Sequence, residues 1–312
     1  MTFKLPGKPS AKADIHELAD FAELLAWAGI RQSVSAREIV AFLGREGDNA
    51  NNEGCQDDDD ENARALEDVM VEIERRQKAC RVGYPFSLDD RGNVIRYADD
   101  GSVQTLLYCY LLLSTRLNMQ SAKVQAGIDG TALLEEISAE VLRYYLGADR
   151  AQSMVFGTAA GSADFPGKVN SLCRALNEGR GYRAIDPNAP VHANDDKLDV
   201  VGWIPFADRT PNQIIVFGQC KTGTAWTEQL CQMQVDAFLK SWVDGPFFLD
   251  PARAFFVSEA VNRTRWGRYS VSAGLLFDRC RLMDCCIELS AQLRRRLNKW
   301  TAAALITAKP NL

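Results

Sequence analysis

Two apolar stretches, LDVVGWIPF at 198–206 and QIIVFGQCKTG at 213–223, decide how this chain is read. Each is rich in β-branched and aromatic residues, and the segment between them, Ala207-Asp208-Arg209-Thr210-Pro211-Asn212, has the composition of a turn. The pattern predicts an antiparallel hairpin. With the turn centred near Thr210, pairing sets Asp199 about level with Cys220. Side chains alternate along a strand, so Gln219 and Lys221 share one face and Cys220 takes the other.

A carboxylate, an amide oxygen and an ammonium would then meet at one end of the hairpin. Those groups suit a metal-plus-lysine site that splits a phosphodiester. Mg²⁺ takes hard oxygen ligands and keeps positions open for water and phosphate. Asp199 is the expected bridging carboxylate and Gln219 a weaker amide ligand. Lys221 would orient or deprotonate water, or steady charge growing on the phosphate. Glu135 is the expected third ligand, on a helix that runs from Gly130 to Tyr145 and is stopped by Gly147; Glu136 is the alternative at that position. Trp226 and Thr222-Gly223-Thr224 line a groove or pack beneath the next helix, and Gln229 and Gln232 touch phosphate or solvent. Arg263, Arg265 and Arg268, with Trp266 among them, form the expected nucleic-acid backbone contact.

These residues, in this order, resemble the PD-(D/E)xK superfamily of restriction-endonuclease-like nucleases. The resemblance covers about residues 129–258, with Glu135 on the first helix, Asp199 as the first acid and Gln219-x-Lys221 as the second half-motif. Leu198 stands where the family has Pro, and Gln219 where it commonly has an acid. The resemblance implies an α/β (α+β) fold with a mixed central sheet flanked by helices. It also implies a Mg²⁺- or Mn²⁺-dependent endonuclease acting on DNA, with RNA left open, of the kind found in bacterial restriction, repair or anti-phage defence. In this reading Asp199, Gln219, Lys221 and Glu135 are catalytic, and Asp199, Gln219 and Glu135 hold the metal.

Around the hairpin, the second half reads α-β-β-β-α-β. Phe165–Asn177 reads as an inserted helix, 182–185 as a short strand, Thr227–Trp242 as a helix, Ala254–Val257 as a strand and Leu275–Leu305 as mostly helical. The first hundred residues read as helices from Ile15 to Trp27, from the capping-box pattern at Ser35 to Phe42, and from Glu61 to Cys80, then a hairpin near Gly92. This outline resembles a winged helix-turn-helix, but its acidity favours packing or docking over DNA contact. The segment 47–61, with Asp57 to Asp60, reads as a hydrated loop. Val103–Asn118 reads as a buried strut. The expected division is a mainly helical N-terminal region, 1–120, for regulation, oligomerisation or docking of a defence-system partner. A nuclease-like domain with a basic helical extension follows, 125–312.

Composition sets the outer bounds. The chain has 312 residues, 46% of them hydrophobic and 25% charged, as in an ordinary globular protein. No N-terminal apolar core suggests a signal peptide and no run approaches a membrane span, so a cytoplasmic protein without a membrane partner is expected. Nine cysteines with no CxxC, and only His16 and His192, argue for free thiols over a zinc site. The net charge of -5 is uneven: residues 251–312 carry 11 basic and 4 acidic side chains. That basic end suits a polyanion. Two other readings stay open: a non-catalytic nuclease-like module that binds nucleic acid or a protein, and a helical regulator in which the QxK is accidental. Absence of the central hairpin would establish the last.

Overall fold

The computed structural model describes residues 2–10, 12–44, 55–160, 164–184, 196–286 and 288–308, with the backbone alone for 44 and 55–65. His192 and position 185 lie outside them. The N-terminal part runs α1 (Ile15–Ala28), β1 (Ser33–Ser35), α2 (Ala36–Gly44), α3 (Cys55–Cys80), β2 (Phe86–Leu88) and β3 (Val94–Tyr97). Its three strands pair antiparallel in the order β1-β3-β2. The capping box forms at α2, where Glu38 N donates to Ser35 Oγ at 3.3 Å and Ser35 N to Glu38 Oε2 at 2.8 Å. Residues 57–60 belong to the first turns of α3 and not to a loop; their side chains lie outside the description.

The helix α4 (Val103–Arg116) is buried along nearly its whole length, as its uniformly apolar surface demands. The small hairpin β4 (Val124–Gln125) and β5 (Ile128–Asp129) leads into α5 (Gly130–Tyr145), which Asp129 caps by accepting from Thr131 N at 2.8 Å. The remaining elements are β6 (Gln152–Val155), α6 (Phe165–Leu176), β7 (Gly181–Tyr182), β8 (Val200–Ile204), β9 (Ile214–Lys221), α7 (Val235–Trp242), β10 (Val243–Asp244), β11 (Ala252–Val257), α8 (Trp266–Ala273), β12 (Leu275–Phe277), α9 (Arg279–Cys285) and α10 (Ala291–Ala308).

Five strands make the central sheet, in the order β12-β11-β9-β8-β6. The pairs β6–β8 and β8–β9 are antiparallel, while β9–β11 and β11–β12 are parallel. The fold is therefore mixed α/β, with helices on both faces of a mixed sheet. Leu133, Leu134, Ile137, Val141 and Leu142 of α5 cover one face, against Val200, Val216, Cys220 and Phe256. On the other face Val169, Leu172 and Leu176 of α6 and Phe238 of α7 pack on Val201, Trp203, Ile215 and Phe217. Apolar residues from both sides of the 120–125 junction, from Phe3 to Leu117 and from Leu133 to Ala308, share one buried cluster.

Several elements differ from the sequence reading. The short strand at Gly181–Tyr182 pairs with β10 and stays out of the main sheet, whose first strand is β6 instead. The expected helix 227–242 is broken, with a 3₁₀ turn at Ala225–Gln229 and α7 beginning only at Val235. Leu275–Phe277 is an edge strand, so the C-terminal helical run starts at Arg279. Among the described residues no helix is long and apolar enough to cross a membrane.

Candidate active site at the ends of strands β8 and β9

The β8–β9 ladder pairs Val200 with Gly218 and Ile204 with Ile214. The connection is thus centred on Arg209 and not on Thr210, which corrects the expected register by one residue. Asp199 stands one residue before β8 and its N donates to Gly218 O at 2.9 Å, the residue already paired with Val200, so the regular ladder stops at Val200. Strand alternation therefore does not set the face of Asp199; its carboxylate meets Glu135 of α5, the helix that covers the Cys220 face of the sheet. The hairpin itself is present, so the observation that would have established a helical regulator with an accidental QxK is not met.

Asp199 is buried, and its immediate surroundings hold it in place. Its Oδ2 accepts from Cys220 N at 2.7 Å, and its carbonyl accepts from Phe156 N at 2.7 Å and Gly157 N at 2.9 Å. Glu135, also buried, reaches the same point from α5. Its Oε1 accepts from Thr158 Oγ1 at 2.6 Å and its Oε2 from Ala159 N at 2.8 Å. The loop that follows β6 therefore clasps both acids. A Cβ at Gly157 would lie 2.7 Å from Glu135 Oε2 and 2.9 Å from Asp199 Oδ1, so the two carboxylates converge on a volume that only glycine leaves free.

Gln219 is fully buried, and among the described residues neither its Oε1 nor its Nε2 has a hydrogen-bond partner. A buried primary amide without partners carries a desolvation cost of roughly 1–3 kcal/mol, so it calls for a ligand or an ordered water. Lys221 ends β9 half-buried. The Cys220 thiol reports on the local field: burial pushes it well above its ordinary range, the Asp199 and Glu135 charges push it further, and Lys221 pulls it back. Cys220 is therefore a neutral thiol packed under the acids and no nucleophile.

Among the described residues no group of three or more His, Cys, Asp and Glu side chains is arranged to hold a metal. The oxygens that converge here are those of two carboxylates, Glu135 and Asp199, consistent with a hard cation that retains several waters. The volume kept free at Gly157 fits such an ion, and the unpartnered Gln219 amide lies on the adjoining strand.

Other expected residues fall elsewhere. Glu136 points away and accepts two hydrogen bonds from Arg296 Nη1, at 2.7 and 2.8 Å. Trp226 is buried against Phe255 and Val257, and its Nε1 donates to Glu259 Oε2 at 2.6 Å, so it packs and lines no groove. Arg263 donates to the buried Asp278 at 2.8 Å and lies over the Trp266 ring, while Arg265 pairs with Asp14 at 3.4 Å. Arg268 is exposed.

The sequence reading missed Thr158, Gly157 and Lys168. Lys168 extends from α6 to donate to Gly157 O at 2.9 Å, which brings a second ammonium beside the clasping loop. The only sequence signal for it is the N-terminus of α6, where Asp164 accepts from Gly167 N at 2.9 Å and Pro166 fixes the first turn. No family model, curated protein or solved structure matches this chain.

Proposed function

We propose that this protein is a divalent-metal-dependent nuclease with a PD-(D/E)xK-like site, hydrolysing phosphodiester bonds of DNA. The observation that carries the reading is the convergence of Glu135 and Asp199 on the space above Gly157, with the unpartnered Gln219 amide on the adjoining strand. The chain order α5, β6, β8, β9, α7, β11 supports it further, since a meander of three antiparallel strands followed by a helical crossover to a parallel strand is what the resemblance implies.

Glu135, Asp199 and Gln219 would hold the cation. When bound, the cation would supply Lewis acidity toward a phosphoryl oxygen and make a coordinated water more acidic. The Asp199 carboxylate is fixed by Cys220 N and the Glu135 carboxylate by Thr158 and Ala159, so neither needs to reorganise as charge develops. Lys221 stands on the same face of β9 as Gln219. Its ammonium would neutralise charge on the phosphate as water oxygen bonds to phosphorus and the leaving oxygen departs. Lys168 keeps the backbone of Gly157 in register with both acids.

One observation favours a second reading: with Gln219 in the place of an acid, only two carboxylates meet here. A nuclease-like module that binds nucleic acid without cutting it would have this composition. Incubation with plasmid and with RNA, with and without Mg²⁺ or Mn²⁺ and beside Lys221→Ala, separates the two. The nuclease reading expects metal-dependent cleavage that drops on the order of 10²–10³-fold in the variant. Equal cleavage by a folded Lys221→Ala protein would reject it.

A further inference from the structure

At the opposite end of the β8–β9 hairpin lies a cavity of about 760 Å³, lined among others by Arg150, Arg174, Trp203, Phe206, Arg209 and Gln213. Among the described residues no acidic side chain lines it. Phe206 stands seven positions along the chain from Asp199 across the strand β8, so this rim of the cavity lies about 20 Å from that carboxylate. It is thus a separate site.

Three different elements bring the cations there: the loop before β6 carries Arg150, the last turn of α6 carries Arg174, and the β8–β9 turn carries Arg209. Among the described residues none of the three has a carboxylate within ion-pair distance, whereas Arg76, Arg116, Arg263 and Arg279 are all paired. Arg209 holds a left-handed backbone, with φ of 56°, where glycine or asparagine would sit with less strain. Asn177, itself left-handed at the end of α6, fixes that turn by donating through its side-chain amide to Arg209 O. The turn is therefore pinned with its arginine beside the cavity. Phe206 exposes half its ring at the rim, and Trp203 is buried at the base.

We infer that this cavity binds a mononucleotide, with phosphate between Arg150 and Arg209 and the base against Phe206. Guanidinium forks match phosphate oxygens, and an exposed aromatic face suits a flat base without demanding one sequence. The volume lies within the range of small-ligand sites. The inference does not depend on the carboxylate site, because the measurement reads binding alone.

The test is calorimetric titration of the full chain with AMP, GMP, CMP and UMP, with adenosine and inorganic phosphate as partial ligands. Saturable binding of at least one mononucleotide is expected, retained in Asp199→Asn and weakened by about tenfold or more in the Arg150→Ala/Arg209→Ala double variant. Phe206→Ala should weaken the mononucleotide and leave inorganic phosphate unchanged. Both arginines are exposed and their backbones keep their contacts, so unchanged thermal melting is expected and controls for folding. No saturable binding at millimolar nucleotide would overturn the inference, as would binding equal in the double variant. Phosphate binding as tightly as the nucleotide, or binding of an oligonucleotide alone, would also overturn it.

Discussion

A methyl group on Gly157 would come within 3 Å of an oxygen of each site acid. Gly157→Ala therefore pushes Glu135 and Asp199 out of their common volume while adding one carbon to a loop. The expected result is loss of Mn²⁺ binding in calorimetry with the far-ultraviolet dichroism spectrum retained. Gln219→Glu tests the neighbouring position with opposite signs. Without metal, a carboxylate buried at 219, where the amide has no hydrogen-bond partner among the described residues, costs stability. With Mn²⁺, the added charge should give a larger rise in Tm than the parent shows. A Glu variant that gained less than the parent would remove Gln219 from the ligand set. Asp199, Gln219 and Lys221 were legible in the sequence because polar residues at the end of an apolar strand stand out by alternation. Gly157, Thr158 and Lys168 were not, because the sheet brings them in from β6 and α6 and no local spacing marks them. The face of Asp199 depends on where the regular ladder stops, at Val200, which composition does not fix.

Long, strongly patterned elements such as α1, α4, α5, β8, β9 and β11 were readable from periodicity and caps. The short edge strands were not. The strand β6, Gln152 to Val155, is half-polar because it lies at the sheet edge, and β12 is three residues between Gly274 and Asp278. The expected helix at 227–242 broke because Trp226 and Leu230 turn inward to pack on Phe255 and Val257, ahead of the separate start of α7. The arginine segment 263–268 divides on the same grounds. Asp278 is fully buried, caps α9 through Arg281 N at 3.1 Å and accepts from Arg263. Arg263→Ala should therefore lower stability, by roughly 1–3 kcal/mol in denaturant unfolding, as a buried carboxylate loses its partner. Arg268→Ala should leave stability unchanged and, if this segment meets a phosphate backbone, reduce the salt slope of DNA binding by about one. An unchanged slope would take Arg268 out of the interface.

Across the whole molecule, the N-terminal helices are joined to the rest by a buried ionic network. Asp20 of α1 accepts from Arg76 Nη1 at 2.6 Å, Arg116 Nε at 2.7 Å and Arg279 at 2.8 and 3.0 Å, linking α1 with α3, α4 and α9. Glu23 beside it accepts from Arg76 and from the Tyr84 and Tyr108 hydroxyls. Burial alone would raise the Asp20 carboxyl; Arg279, Arg116 and Arg76 more than reverse this and hold it well below its ordinary range. A carboxyl lowered in the folded state contributes stability above its unfolded value near 3.9, and that contribution is lost as pH falls toward the folded value. Stability should thus fall in acid below about pH 4, and Asp20→Asn should flatten that limb while costing on the order of 3–5 kcal/mol at neutral pH. Equal acid limbs in the two proteins would contradict the assignment. The central claim, that Glu135, Asp199 and Gln219 together hold a divalent cation, is tested most directly by calorimetric titration of the full chain with Mn²⁺, parent beside Asp199→Asn. Saturable binding is expected in the parent and none in the variant. No saturable binding in the parent, or equal binding in both, would contradict it.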